Sequence, residues 1–252
     1  MLVKKSKFLL IFLLPFFSCI QINKDGSKIN SDKSDTTPIF SSGKWFSEDE
    51  FYSIYYLRNL KIKLTNIRPN QSDTSIKLCI PVAFTQLDDG SIDGLFIIDG
   101  KPVDAKKVNH RLGGGFLMIK DSVSIIKTND GKFLSSSCID SLSKLNASFF
   151  QQIQLVREGE NLGFHKDEKL FQRRAIAVFP NGNIAIIETK SPVTLQEFAD
   201  DLVKMKIQNA IYTDMGSYDE GWARIHESGS LKVLGNIRSE TQRQSNWLIF
   251  KN

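Results

Sequence analysis

The stretch RRAIAVFPNGNIAIIETKSPVTLQEFADDLVKMKIQNAIYTDMGS, residues 173–217, reads as a hairpin, a helix and a strand in that order. The apolar runs RRAIAVF and IAIIET flank PNGN, whose Asn-Gly pair accepts the positive φ of a tight turn. After Ser191-Pro192, Thr194 is followed three residues later by Glu197, a capping-box spacing in which each side chain accepts the other residue's backbone N–H. Leu195, Phe198, Ala199, Leu202 and Val203 then recur at helical spacing and give one apolar face. The run NAIYT ends on Asp214. A helix of this length suffices for a crossover, so NAIYT is expected to pair parallel with a strand of the hairpin.

Upstream, LKIKLTNI (60–67) alternates apolar and polar residues with the period of a strand. IKLCIPVAF (76–84), GLFIID (94–99), GGFLMI (114–119) and SVSIIKT (122–128) are short apolar runs bounded by Asp-Gly turns. SCIDSLSKLNASF (137–149) reads as a second helix. With 41% hydrophobic and 24% charged residues in 252, the chain has the composition of a globular protein. No internal repeat is present. The expected fold class is α+β, a β-rich mixed sheet with hairpins and one or two packed helices, in a single domain over 44–252.

The N-terminus differs in kind. MLVKKSK is basic, FLLIFLLPFF is apolar but too short to span a bilayer, and Ser18-Cys19 follows. Residues 1–18 resemble a bacterial lipoprotein signal, with Cys19 as the acylated first residue of the mature chain. Residues 19–43 are rich in Ser, Asp, Lys and Asn, bury too little to order themselves, and read as a flexible tether. The expected location is the cell envelope, outer membrane or periplasm, with the membrane reached through the lipid. The full chain carries +5, and losing Lys4, Lys5 and Lys7 leaves about +2. No long Lys/Arg block occurs elsewhere, so no nucleic-acid partner is expected.

Of the other cysteines, Cys79 lies in an apolar run and reads as a buried small hydrophobe, and pairing with Cys138 in an oxidising compartment stays open. His110, His165 and His226 lack metal-ligand spacing, and there is no C-x-x-C, so neither a metal nor a cofactor is expected. VNHRLGGGF (108–116) is neither a dinucleotide nor a P-loop motif. Its glycines would let a backbone approach a ligand closely, which makes Asn109 a candidate substrate contact. No G-x-S-x-G nucleophile elbow is present.

Asp214 is the first candidate for chemistry, because a carboxylate at a strand end sits where the sheet stops and a ligand begins. Met215, Gly216 and Ser217 can turn successive N–H groups outward as an anion-binding nest. A proton-transferring carboxylate beside anion-holding donors suits a phosphodiester or a glycosidic bond. Arg173 and Arg174 point to opposite faces of their strand, so one can face the core side and the other solvent; a guanidinium facing a site offers a fork matched to phosphate. Trp222 and Arg224 in GWAR, with Trp247, are further candidates for contacts to a ligand such as a sugar.

Four of these stretches, in order, resemble the motifs of the phosphodiester glycosidase family. They are VAFTQ (82–86), GLFIIDG (94–100), RRAIA (173–177) and TDMGS (213–217). The family patterns are N-x-G-F-F, G-x-x-I-x-D-G, R-T-A-I-G and L-D-G-G-G-S, and the helix TLQEFADDL lies between the last two as in the family. The chain departs from the pattern where Val82 stands near the motif asparagine, Arg174 replaces its threonine and Met215 one of its glycines. These departures look like a bacterial subgroup. The resemblance implies a hydrolase that cleaves a sugar-1-phosphodiester, in which Arg173 holds the phosphate and loop 214–217 supplies backbone donors. Asp214 would transfer a proton or hold the geometry. Its carboxylate partner stays open among Asp99, Asp219 and Glu220. The rival reading is a non-catalytic lipoprotein of the same fold that binds a glycan or a protein.

Overall fold

A computed structural model describes residues 45–103, 108–128, 134–164, 166, 168–225 and 230–252. The lipoprotein-type signal, Cys19, the tether, His165 and His226 lie outside the described residues. Three sheets, every pairing in them antiparallel, share one core. In the first, the order is β1 (Phe46–Glu48), β2 (Tyr52–Tyr56), β13 (Ile184–Thr189), β12 (Arg174–Val178), β14 (Asn209–Tyr212), β10 (Gln154–Arg157) and β11 (Glu160–Asn161). The second runs β16 (Leu231–Val233), β15 (Trp222–Arg224), β4 (Ile76–Pro81), β17 (Trp247–Lys251) and β3 (Lys61–Thr65). The third runs β6 (Lys101–Pro102), β5 (Phe96–Ile98), β9 (Ser148–Gln152), β7 (Gly114–Ile119) and β8 (Ser122–Lys127).

Strand alternation explains how one core serves all three. Tyr55, Ile176, Ile186 and Ile211 turn inward from the first sheet, Leu64, Leu78, Ile80 and Phe250 from the second, and Phe96, Phe116 and Phe150 from the third. A smaller cluster of Ile76, Cys79, Trp222, Trp247 and Ile249 covers the other face of the second sheet. Both tryptophans are therefore core residues.

The quoted stretch folds as the expected hairpin, β12 with β13, and the expected helix, α2 (Leu195–Lys204). The reciprocal Thr194–Glu197 capping box closes its N-terminus. One expectation is corrected. Strand β14 does not pair parallel with the hairpin; it lies antiparallel beside β12, with Ile176 opposite Ile211. The other edge of β13 is already taken by β2, so the edge of β12 is the one the crossover can reach. β13 and β14 run the same way with β12 between them, and the sheets are antiparallel rather than mixed.

The second helix is also shorter than expected. Helix α1 spans Ser136–Lys144, and Asn146, at φ +50°, ends it. Ser148 onward is drawn into β9, which places Phe149 against Leu117 and Phe150 against Phe116. Cys79 and Cys138 are both buried and no disulfide joins them, so the open pairing does not form. Among the described residues no helix is long and apolar enough to cross a membrane.

Candidate active site

Arg174 and Glu188 face each other across the hairpin, and this register builds the first part of the site. Arg174 is fully buried. Its Nε donates to Glu188 Oε2 at 2.6 Å, while Nη1 and Nη2 donate to Asp219 Oδ1 and Oδ2 at 3.1 and 2.8 Å. The two carboxylates outweigh the cost of burial and keep the guanidinium protonated. Two glycines make room for this triad. A Cβ on Gly235 would sit 2.0 Å from Asp219 Oδ2, and one on Gly221 3.0 Å from Oδ1. Asp219 also accepts the Gly221 N–H at 2.8 Å. The triad thereby pins the chain that follows Asp214 onto the end of β12.

Arg173 points to the other face and is not solvated, as a simple alternation would have it; only 5% of it is exposed. Its guanidinium lies 5.2 Å from the Phe171 ring centre and 5.8 Å from that of Tyr212. Nε and Nη2 donate to the carbonyls of Val193 and Lys169. Two arginines adjacent in sequence thus serve different compartments, one the interior and one a cleft.

Past Tyr212, the Thr213 and Asp214 N–H groups donate to the carbonyls of Arg174 and Val82 at 3.1 and 3.0 Å. The Thr85 N–H donates to Asp214 Oδ2 at 3.1 Å. Segments VAFTQ and TDMGS, far apart in sequence, are therefore neighbours. Asn246 holds the first of them, accepting the Ala83 N–H at 2.8 Å and donating to the Ala83 carbonyl at 3.0 Å. Burial pushes the Asp214 carboxyl up to about 8, the Thr85 N–H opposes that shift, and the Asp219 charge adds to it. Asp214 is thus neutral at pH 7.

The loop beyond forms one wall of a cleft of about 340 Å³, lined among others by Phe84, Phe171, Arg173, Tyr212, Met215, Gly216, Ser217, Asp219 and Ile237. Gly216 takes φ +112°, a region that disfavours any side chain, while its Cβ position meets open space. Met215 is not among the residues at positive φ, so the place where it stands for a motif glycine is sterically ordinary. Among the described residues, no acceptor takes the N–H groups of Met215, Gly216 or Ser217. Those donors are available to an anion in the cleft. The charges nearby balance, two arginines against Glu188 and Asp219, because Asp214 is neutral.

Several candidates lie elsewhere. Asn109 donates to both oxygens of Asp93 at 3.0 and 2.9 Å and ties two loops of the third sheet together. Trp222 is in the smaller core, and Arg224 stacks on it and donates to the Ile76 and Gln71 carbonyls. Of the three possible carboxylate partners, Asp99 accepts from Ser148 Oγ at the β5–β6 turn. Glu220 pairs with Arg68 at 2.9 Å. Asp219 alone lines the cleft, and both its oxygens are engaged by Arg174. Among the described residues no group of three His, Cys, Asp or Glu side chains is disposed to hold a metal.

No family model and no curated protein matches the chain. Solved structures do. The fold is shared with the catalytic domain of zebrafish N-acetylglucosamine-1-phosphodiester alpha-N-acetylglucosaminidase, auto-inhibited by its pro-peptide, at TM-score 0.58 and 15% identity over 87% of this chain and 81% of that one. A hypothetical protein from Synechocystis matches at TM-score 0.53 and 12% identity over 82% of this chain and 61% of that one. These likenesses establish the fold.

The Arg174–Glu188–Asp219 triad went unread in the sequence although the pairing of two of its three members was legible there. The PNGN turn fixes the hairpin register and so sets Arg174 opposite Glu188. Phe171, Asn236 and Ile237 gave no signal, because they lie in irregular segments without periodicity.

Proposed function

We propose that the chain is a lipid-anchored hydrolase of the bacterial cell envelope that cleaves a sugar-1-phosphodiester at the glycosidic bond. The observation that carries this reading is the convergence on one cleft of Arg173 and the unengaged N–H groups of Met215, Gly216 and Ser217. The shared fold with a phosphodiester glycosidase catalytic domain is consistent with it. In the reaction, a water oxygen bonds to the anomeric carbon and the bond from that carbon to the phosphate oxygen breaks. The electron pair stays on the phosphate, which leaves as a monoester, and the proton lost by the attacking water passes to that phosphate or to solvent.

Each residue has a physical role in this scheme. Arg173 supplies the positive charge, held in place between two aromatic rings. Loop 215–217 binds the phosphate oxygens and the charge that grows on them as the bond breaks. Asp214, neutral at pH 7, leaves the cleft open to an anion and is one residue from that loop, as a proton carrier or an anchor of its geometry. Removing Asp214's proton would add a negative charge beside the phosphate. The test is to incubate the full-length chain with sugar-1-phosphodiesters and assay released sugar. The expected result is release that falls about a hundredfold or more in Asp214→Asn. Absence of turnover on every substrate, or unchanged turnover in that variant, would sink the reading.

A second reading, a non-catalytic glycan- or protein-binding lipoprotein, is favoured by one observation: among the described residues, the one carboxylate that lines the cleft, Asp219, is engaged by Arg174. Binding of the same diesters without turnover would select it.

A further inference from the structure

The cleft proposed to take the phosphate offers few other polar groups that a ligand could use. Gln172 lines it, but its Nε2 donates to the Thr189 carbonyl and to Glu188 Oε1, and its Oε1 accepts the Asn236 N–H at 2.8 Å. Both oxygens of Asp219 are held by Arg174. Besides Arg173 and the loop N–H groups, the polar side chains left to a ligand among the described lining residues are the hydroxyls of Tyr212 and Ser217 and the amide of Asn236. A second hydroxyl-rich group on the alcohol side of the phosphate would leave most of its hydroxyls unpaired here, at a cost for each.

The apolar side of the lining points to what fills the rest. Phe171 and Ile237 line the cleft and remain 46% and 54% exposed. Single exposed apolar residues are ordinary on a surface. An aromatic and a branched aliphatic residue that both border one anion-binding cleft form a more specific arrangement. Ile237 offers no ring face for a sugar to stack on, so its natural partner is hydrocarbon. At about 340 Å³ the cleft lies at the small end of the roughly 300–1,000 Å³ of ligand sites. It has room for a phosphate and a compact group, and a long substituent must run out along the border that Phe171 and Ile237 form.

Resting on the reaction proposed above, we infer that the alcohol side of the phosphodiester is a hydrocarbon chain, so that the substrate is an amphiphilic, lipid-linked sugar phosphate. The head binds at Arg173 and loop 215–217, and the chain lies over Phe171 and Ile237. An exported protein tethered to a membrane by its own lipid would meet such a substrate in that membrane.

The test compares methyl, octyl and farnesyl esters of one sugar 1-phosphate on the full-length chain, each below its micelle concentration. It reads Kd by calorimetry and kcat/KM by released sugar. The octyl ester is expected to bind at least about tenfold more tightly than the methyl ester, since each buried methylene contributes severalfold. Ile237→Ser should collapse that ratio toward one, Ile237→Leu should restore it, and Leu145→Ser, on an exposed residue beyond α1, should leave it intact. Octyl and farnesyl esters separate a straight acyl-type chain from an isoprenoid one. Equal Kd values for methyl and octyl esters, or a ratio untouched by Ile237→Ser, would overturn the inference. A retained octyl preference in binding with no turnover would leave the inference standing and defeat the proposed reaction instead.

Discussion

Two glycine-bearing segments of this protein look alike on paper and do opposite things. Gly114 and Gly115, from a run of three glycines, are the more suggestive of a ligand site. Yet a Cβ on Gly115 would stand 2.3 Å from the Phe149 ring, and one on Gly114 2.7 Å from Gln154 Cβ. Those glycines admit neighbouring strands and their side chains, and the adjacent Asn109 is engaged with Asp93. Gly216 stands alone in its loop and its Cβ would meet nothing, so its φ of +112° is what demands glycine. The first segment is glycine for the sake of packing, the second for the sake of a backbone turn that other residues rarely adopt. A glycine's meaning lies in what surrounds it, and a count of glycines says little.

The largest expected effect tests the frame behind the second segment. Arg174→Leu leaves Glu188 and Asp219 buried without a counter-charge, and removing one partner of such a pair costs about 3–5 kcal/mol. Chemical denaturation should show that loss, and the 214–221 loop should become more open to hydrogen exchange. A loss below about 1 kcal/mol would mean that the triad does not hold the loop.

The contrast itself is sharpened by a pair of alanines. Gly115→Ala forces a methyl group into the Phe149 ring, and overpacking of this sort typically costs about 1–3 kcal/mol with little bearing on ligand binding. Gly216→Ala meets no neighbour. It should cost about 1 kcal/mol of stability through its dihedral and weaken binding of a phosphodiester by tenfold or more. Melting and calorimetry on the two variants would break the comparison if the binding loss followed Gly115 instead.

A smaller effect concerns pH. The Asp214 carboxyl is raised by burial from an ordinary carboxylate value to about 8 in the folded chain, so the folded state holds a proton that the unfolded chain has released. Stability from this group is therefore full below the unfolded value and falls as pH rises from about 4 toward about 8. Asp214→Asn, which cannot ionise, should be clearly more stable than the wild type at pH 9 and close to it at pH 4. Anion binding in the cleft should weaken as pH rises through about 8, where the folded-state carboxyl ionises and adds a negative charge near loop 215–217. A stability difference independent of pH would contradict the buried, neutral carboxyl.

Much of the frame was legible before the structure. The capped helix, the PNGN hairpin and the strand ending at Asp214 follow from local chemistry, and local chemistry held. What failed was non-local. Nothing in NAIYT says that β2 already occupies one edge of the hairpin, so its partner was expected within the hairpin, as found, but its direction was misread. SCIDSLSKLNASF has helical spacing throughout, and only the need for Phe149 and Phe150 between β5 and β7 draws its end into a strand. Of the residues that line the cleft, Gly216, Ser217 and Arg173 were singled out from a turn and an arginine on an alternating strand, and Asp214, read as a strand end, stands beside Met215 without lining it. The roles of Arg174, Asp219, Gly221 and Gly235 were not, because a buried ion triad is assembled from four segments and leaves no spacing to read. Trp222 and Arg224 drew notice for their residue types and proved to serve a core.

The most direct test of the central claim is which bond breaks. Full-length chain and a sugar-1-phosphodiester are incubated in water enriched in the heavy oxygen isotope, and the phosphomonoester product is weighed by mass spectrometry. Cleavage at the anomeric carbon leaves the phosphate with its original oxygens, so the expected product carries no heavy oxygen. A phosphomonoester carrying one heavy oxygen would mean attack at phosphorus, and the glycosidase account would be wrong.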